Sequence, residues 1–423
     1  MAGDRLGPGR HRSLAAAVER SYLLLDDHER RVFRQLLVFP GPFTLEAAEA
    51  VGGPGAGPAV LRLVDCSLLS PPRAGPDGWS RYGMLETLRA YGAGLLAGAG
   101  EQDGAAAALA GWALGVAEEA AAGLGTSEGE LAAARRLDAE DAAMRQVLAW
   151  ALDHDAAMAV RLAVTLAPWW QLRGRLTGQY PLLRQAAGSA DAGSDRWCAA
   201  QIWLGHAAVT SADMAAALGH FTAVRDAIGD RGPSRALADC LAGRSWPLLS
   251  QGRTAEAVED ARRSLAVARE LGYPAGETQG LRVLGLIAYN ADGDLGSAVR
   301  LARQAEQITQ TAAGIPGWLA RAVGSLLTLA LMEAGDLAAA EPSCRAGLAR
   351  ARDTGDLRNQ ARMLRHLVIL DLQAGRTGDA AAHLREELQI AWRTGALEGV
   401  VNGLECCALL CAATRRPAEA VTL

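Results

Sequence analysis

Every one of the 42 cationic side chains in this chain is an arginine; no lysine occurs among its 423 residues. That removes several chemistries at once. A phosphate loop of the form GxxxxGK[ST] has no lysine to use. Neither a Schiff base nor a lysine nucleophile can form. The seven cysteines are odd in number, scattered and without a Cys-x-x-Cys pair, so they read as small hydrophobes of a reduced protein. Cys406, Cys407 and Cys411 lie close together, yet no histidine stands nearby at ligand spacing, and zinc is not expected. His28 beside Glu29, Arg30 and Arg31 reads as a solvated helix face, and His366 and His383 are too far apart in sequence to suggest a ligand pair. Trp169-Trp170 reads as packing. No Ser/His/Asp or Cys/His arrangement stands out, so the expectation is no enzyme, no metal and no cofactor.

What remains is recognition, and a repeat supplies the frame for it. Gly-[Asp/Arg]-x4-Ala recurs at Gly252 with Ala257, Gly293 with Ala298, Gly335 with Ala340 and Gly375 with Ala380. The glycines are 41, 42 and 40 residues apart. Small or apolar residues follow at Ala261, Ala302, Cys344 and Leu384, and further glycines close each unit at Gly272, Gly314, Gly355 and Gly395. A period near 40 with helical spacing inside each unit means stacked helix pairs. The first glycine belongs in the turn, where a residue without Cβ enters the left-handed region cheaply. The Ala belongs where two helices cross. The pattern resembles the tetratricopeptide repeat, though its Trp-Leu-Gly-Tyr markers are poorly kept; a HEAT-like array is the alternative.

Such arrays bind partners on a concave face built from the first helix of each pair. Counting back 3, 6, 10 and 13 residues from each turn glycine marks one face of that helix. For Gly252 and Gly375 it selects Trp246, Arg362 and Arg365, and for Gly293 it selects Asn290. In the final unit, with position 415 in place of the glycine, it selects Asn402 and Glu405. These residue types anchor ligands in grooves, so they are the candidate partner-binding residues.

The rest of the chain reads as elements leading into the array. Residues 1–12 have the composition of a disordered lead-in, without the apolar core of a signal peptide. Ser13 can cap a helix to Leu25, and Asp26 or Asp27 a second helix through Phe39. Thr44 opens a third helix, and a fourth spans Ala59–Asp65. Two strands, Ser67–Ser70 and Trp79–Met84, flank the hairpin turn Pro76-Asp77-Gly78. Leu85–Ala97 returns to helix. Helices followed by a hairpin and one more helix make a winged helix, giving a mainly α chain: winged helix over 13–100, helical linker over 101–175, tetratricopeptide-like solenoid over 176–423. One linker helix is expected over 128–153, and a degenerate early repeat turns near Ser211. The array stops before the closing helix of its last unit, so apolar surface at Leu404, Leu409 and Leu410 is expected to stay exposed. No 18-residue apolar run spans a membrane. The net charge of −5, with 11 Arg against 10 acids in the first hundred residues, gives no pull toward nucleic acid. A soluble, cytoplasmic protein is expected.

The strings SLAAAVERSYLLLDDHERRVFRQLLVFPGPFTLEAAEAV, LVDCSLL and RYGMLETLRAYG within Leu14–Glu101 resemble the winged-helix part of actinobacterial AfsR-like and LuxR-type STAND ATPase regulators. Leu137–Leu152 is similar to that family's linker helix and Ala159–Gly174 to the entry of its repeats. The resemblance implies the regulatory part of a switch, with an NTPase domain before it and a DNA-binding output elsewhere; here either those domains act in trans or the chain is a piece of a longer regulator. It also implies a nucleotide-sensor position, because Met84-Leu85-Glu86 aligns with the family's Met-His-Asp. Leu85 cannot donate a hydrogen bond to phosphate; the alternative makes Met84 and Leu85 core residues. The expected function is a sensor module that binds a protein or small effector through its repeats. The alternatives are a winged-helix DNA-binding factor, for which the recognition helix offers only Arg62 beside Asp65, and a free-standing scaffold.

Overall fold

The computed structural model describes residues 18–291, 293–394 and 397–414. The chain is mainly α and divides into two compact units. One runs to Ala120 and includes Arg135–Ala159; the other takes Ala121–Ala134 and the chain from Val160 onward. Most of the segment expected to be a separate linker therefore belongs to the first unit.

In the first unit, α1 (residues 18–23), α2 (Asp27–Gln35), α3 (Leu45–Gly52) and α4 (Ala56–Asp65) precede the hairpin β1 (Ser70–Ala74) and β2 (Ser80–Gly83). α5 (Glu86–Ala99) and α6 (Gln102–Leu124) follow. Ser13 and residues 1–12 lie outside the described residues. Asp26 starts α2 through a capping box: its side chain accepts from the Glu29 amide at 2.8 Å, and Glu29 accepts from the Asp26 amide at 2.9 Å. Thr44 caps α3 on the Ala47 amide. Phe39 and Phe43 stack at 4.7 Å over a core containing Val32, Phe33 and Leu63.

The first strand lies later than expected, at Ser70–Ala74 and not Ser67–Ser70. Ser67 takes φ +59°, which turns the chain and buries Leu68 and Leu69. Pro71 and Pro72 then lack the amides for a regular ladder, so the register shifts between Ser70 and Arg73. The helix expected over 128–153 is two, α7 (Glu130–Ala139) and α8 (Asp141–His154). The break falls at Glu140, whose carboxylate accepts from Arg81 of β2 at 2.8 Å. Arg81 also donates to Asp77 at 2.7 Å, and Arg136 covers Trp79, so the hairpin is pinned by a buried ion-pair network.

In the second unit, α9 (Ala156–Leu172) and α10 (Tyr180–Ala187) lead into five helix pairs. These are α11 (Asp195–Thr210) with α12 (Met214–Ile228), α13 (Arg235–Ser250) with α14 (Thr254–Glu270), and α15 (Pro274–Asn290) with α16 (Leu295–Thr311). Then come α17 (Gly317–Glu333) with α18 (Leu337–Thr354), α19 (Leu357–Gln373) with α20 (Thr377–Thr394), and α21 (Leu397–Ala413). Each pair turns on a left-handed residue: Ala212 at φ +61°, then Gly252, Gly293, Gly335 and Gly375 between +61° and +79°. The degenerate unit thus turns one residue later than expected, with alanine where the others have glycine. Five residues on, Ala217, Ala257, Ala298, Ala340 and Ala380 are all fully buried at the helix crossings. Consecutive first helices also touch each other and form an inner layer.

That layer curls round on itself. Arg173, just after α9, donates to the Thr354 carbonyl at 2.7 Å, and Arg358 of α19 to the Thr210 hydroxyl of α11 at 3.2 Å. Arg321 of α17 is buried between Glu130 (2.5 Å) and Asp356 (2.7 Å). Among the described residues, α21 leaves Val401, Leu404 and Leu409 exposed. Leu410 is half-buried, against the expectation. Gly395 and the stretch 415–423 lie outside the described residues. No helix among those described is long and apolar enough to cross a membrane.

Candidate functional site

The curled inner layer encloses a lumen. Its central cavity, about 270 Å³, draws its walls from α9, α11, α13, α15, α17 and α19. The face marked by turn spacing supplies much of the lining: Trp246 and Leu249 of α13, Ile287 and Asn290 of α15, Ser325 and Leu329 of α17, Arg362 and Arg365 of α19. Four of the six candidate partner-binding residues (Trp246, Asn290, Arg362 and Arg365) meet in this cavity. Asn402 lines a smaller cavity of about 70 Å³ that shares Gln171, Arg358, Arg362 and Arg365 with it. Glu405 is exposed on α21 and lines neither cavity. The stripe of the last unit was counted from position 415, which lies outside the described residues.

Met84, Leu85 and Glu86 lie where β2 passes into α5. Leu85 is 59% exposed and Glu86 is exposed, so Leu85 is not a core residue. Of the remaining candidates, Trp169 and Trp170 are buried. His28 is exposed, with its ring against the Gly55 carbonyl.

The lumen is cationic in an acidic chain. Arg282, Arg358, Arg362 and Arg365 face the central cavity, where among the described residues the lining carboxylate is Asp356, bonded to Arg321 and Asn359. Arg282 donates to Gln279 at 3.0 Å. Burial, with repulsion from Arg362 and Arg358, lowers its guanidinium to about 9. The same pressure acts on histidine. Burial, then Arg365 and Arg362, pushes His366 down to about 3; burial, then Arg358 and Arg282, pushes His206 down to about 4. Both rings are neutral at pH 7 and the arginines carry the charge. Glu387 of the smaller cavity is pushed up to about 7 by burial, against the pull of Arg365. Trp246, Tyr289 and Trp318 supply aromatic walls.

Sequence spacing missed His206, Arg282, Tyr289, Trp318, Arg358 and His366. For His206 the signal was present: counting six back from Ala212 reaches it. The turn there carries no glycine, so the count had no visible origin. Arg358 sits at the start of α19 and Arg282 midway along α15, both off the marked stripe.

No family model matches the chain. Transcriptional regulators described as helix-turn-helix type, from Mycobacterium tuberculosis and Mycobacterium bovis, are 28% identical to it over 298 residues. The match covers 69% of this chain and 30% of each relative, so the chain spans under a third of their length. A solved structure aligns along the whole chain at a TM-score of 0.50 and 14% identity, covering 65% of that protein. It is a signal transduction ATPase with numerous domains, with a tetratricopeptide repeat sensor, from Pyrococcus horikoshii. At that identity the likeness speaks for fold: a mainly α chain with tetratricopeptide-like repeats.

Proposed function

We propose that this chain is the non-catalytic regulatory part of a STAND-type, AfsR-like or LuxR-type transcriptional regulator in the cytoplasm, and that its repeats sense an effector. One observation carries the reading: the inner helices of successive repeats converge on one polar, aromatic-walled lumen fed by Trp246, Asn290, Arg362 and Arg365. Its size suits a small ligand or part of a larger one. The similarity to transcriptional regulators supports the regulatory role, and an NTPase domain acting with this chain would supply the switch. Met84-Leu85-Glu86 would meet that domain without a histidine to touch phosphate.

DNA binding by the first unit has less support. On α4, Arg62 stands 4.0 Å from Glu29 with Asp65 nearby, and Arg81 and Arg136 of the hairpin region already face carboxylates. The test is a melting-shift screen of a metabolite and peptide library against wild type and two variants, Trp246→Ala and Arg362→Glu with Arg365→Glu. Hits lost in both variants, with the unliganded melt unchanged, support the reading. Hits that survive both variants place the site elsewhere.

A further inference from the structure

Two side chains of α19 bring unmet hydrogen-bonding atoms to the lumen. Asn359 and His366 both line the central cavity and are 6% and 2% exposed. Asn359 donates from Nδ2 to the Asp356 carboxylate at 2.5 Å, which fixes the orientation of its amide and leaves Oδ1 as a buried acceptor without a partner. His366 Nδ1 is also buried without a partner. So is Oε1 of Gln171 on α9, a residue that lines the same cavity. Buried polar groups are nearly always hydrogen-bonded, so these atoms around one cavity mark a place where another molecule completes the set. We propose that the lumen binds a neutral, planar aromatic amide or amino-substituted heteroaromatic ring, with a hydrogen-bond donor at one end and a second polar group at the other. This rests on the sensor reading above and names its ligand class.

The chemistry of the orphaned atoms selects the donor. Oδ1 of Asn359 can only accept, so the ligand must present an N–H or O–H there. Anionic oxygens offer it no proton. A cationic donor would call for a carboxylate, and Asp356, the lining carboxylate among the described residues, already accepts from Arg321 and Asn359. Burial first, then Arg365 and Arg362, keeps the His366 ring neutral at pH 7, so its Nδ1 accepts or donates according to tautomer. The helix sets the span. Asn359 and His366 are seven residues apart on α19, two turns along one face, or about 10 Å along the axis. A single ring with polar groups at both ends bridges that length. Trp246, Tyr289 and Trp318 line the walls and favour a flat partner, and the space of about 270 Å³ admits one such molecule.

The test titrates the full chain with para-aminobenzamide and with methyl para-toluate, read by calorimetry. The ester keeps the ring and the carbonyl but has no donor. Para-aminobenzamide should bind, and the ester should bind weaker by about ten-fold or more, because it leaves a buried acceptor unmet. His366→Leu should weaken para-aminobenzamide by about ten-fold or more. The unliganded variant should melt at the same or a higher temperature, because an unmet polar atom leaves the interior. A histidine held by a purely structural hydrogen bond would instead lower the melt. If His366→Leu fails to fold, Gln171→Leu gives the same comparison. Equal binding of amide and ester, or unchanged amide affinity in a folded variant, overturns the proposal. No amide binding at millimolar concentration overturns it too; if library hits are still lost in Trp246→Ala, the sensor reading stands and only the ligand class falls.

Discussion

Phe221 stands at a helix crossing where the other repeats place Ala261, Ala302, Cys344 and Leu384, and the structure makes room for its ring with two glycines. A Cβ at Gly243 of α13 would lie 2.4 Å from Phe221 Cε1 and 2.7 Å from Cδ1 and Cζ. A Cβ at Gly205 of α11 would lie 2.5 Å from Cζ. Carbon atoms pack at about 3.5–4.0 Å, so Gly243→Ala overlaps the ring by about 1 Å. The ring cannot retreat, because Phe221 is fully buried and the Gly205 backbone stands against it. Overpacking of this kind costs about 1–3 kcal/mol or more, while Gly→Ala inside a helix returns about 0.5–1 kcal/mol. Gly243→Ala should therefore destabilise the chain by about 2 kcal/mol. The sign should reverse once the ring is gone: with Phe221→Leu in place, Gly243→Ala should be neutral or stabilising. Urea denaturation followed by circular dichroism, on the four proteins of the double-mutant cycle, measures this coupling. Equal effects of Gly243→Ala in both backgrounds would refute the slot.

Ala212→Gly should stabilise by about 0.5–1 kcal/mol in the same assay, since alanine at φ +61° carries a left-handed penalty of about 1–2 kcal/mol and glycine returns part of it as unfolded-chain entropy. Glu130→Gln should cost about 3 kcal/mol, as it breaks a buried pair with Arg321 while Asp356 remains, and a thermal melt that does not move would remove the triad from the account. For Glu387, folding raises the carboxyl from its ordinary range near 4.5 to about 7, so the folded state holds the proton longer. The penalty is absent below about pH 4.5, grows as pH rises and is complete above about pH 7; Glu387→Gln should match wild type at pH 4.5 and melt higher at pH 8. Hydrogen exchange should be faster in α21, with Val401, Leu404 and Leu409 exposed, than in α19.

The repeat was legible because its punctuation is physical. Gly252, Gly293, Gly335 and Gly375 all take the left-handed conformation that their spacing announced, and the alanines five residues on are buried. The same logic marked Trp246, Asn290, Arg362 and Arg365, because one stripe of a helix must face inward if the turns do. Where punctuation is missing, legibility fails. Ala212 does a glycine's work without its signal, and Glu405 was placed by counting from a position that carries no glycine. The shift of β1 depended on Ser67 adopting φ +59°, which no propensity for serine foretells. The break at Glu140 depended on Arg81, 59 residues earlier in the chain. The cationic character of the lumen was also out of reach, because Arg282 and Arg358 enter it only when the array curls until α19 meets α11.

The most direct measurement of the central claim is hydrogen exchange of the full chain with and without a compound that raises its melting temperature. Ligand binding in the lumen predicts new protection concentrated in α13, α15, α17 and α19, with residues 27–99 unchanged. Protection confined to residues 27–99, with those inner helices unaltered, would contradict it.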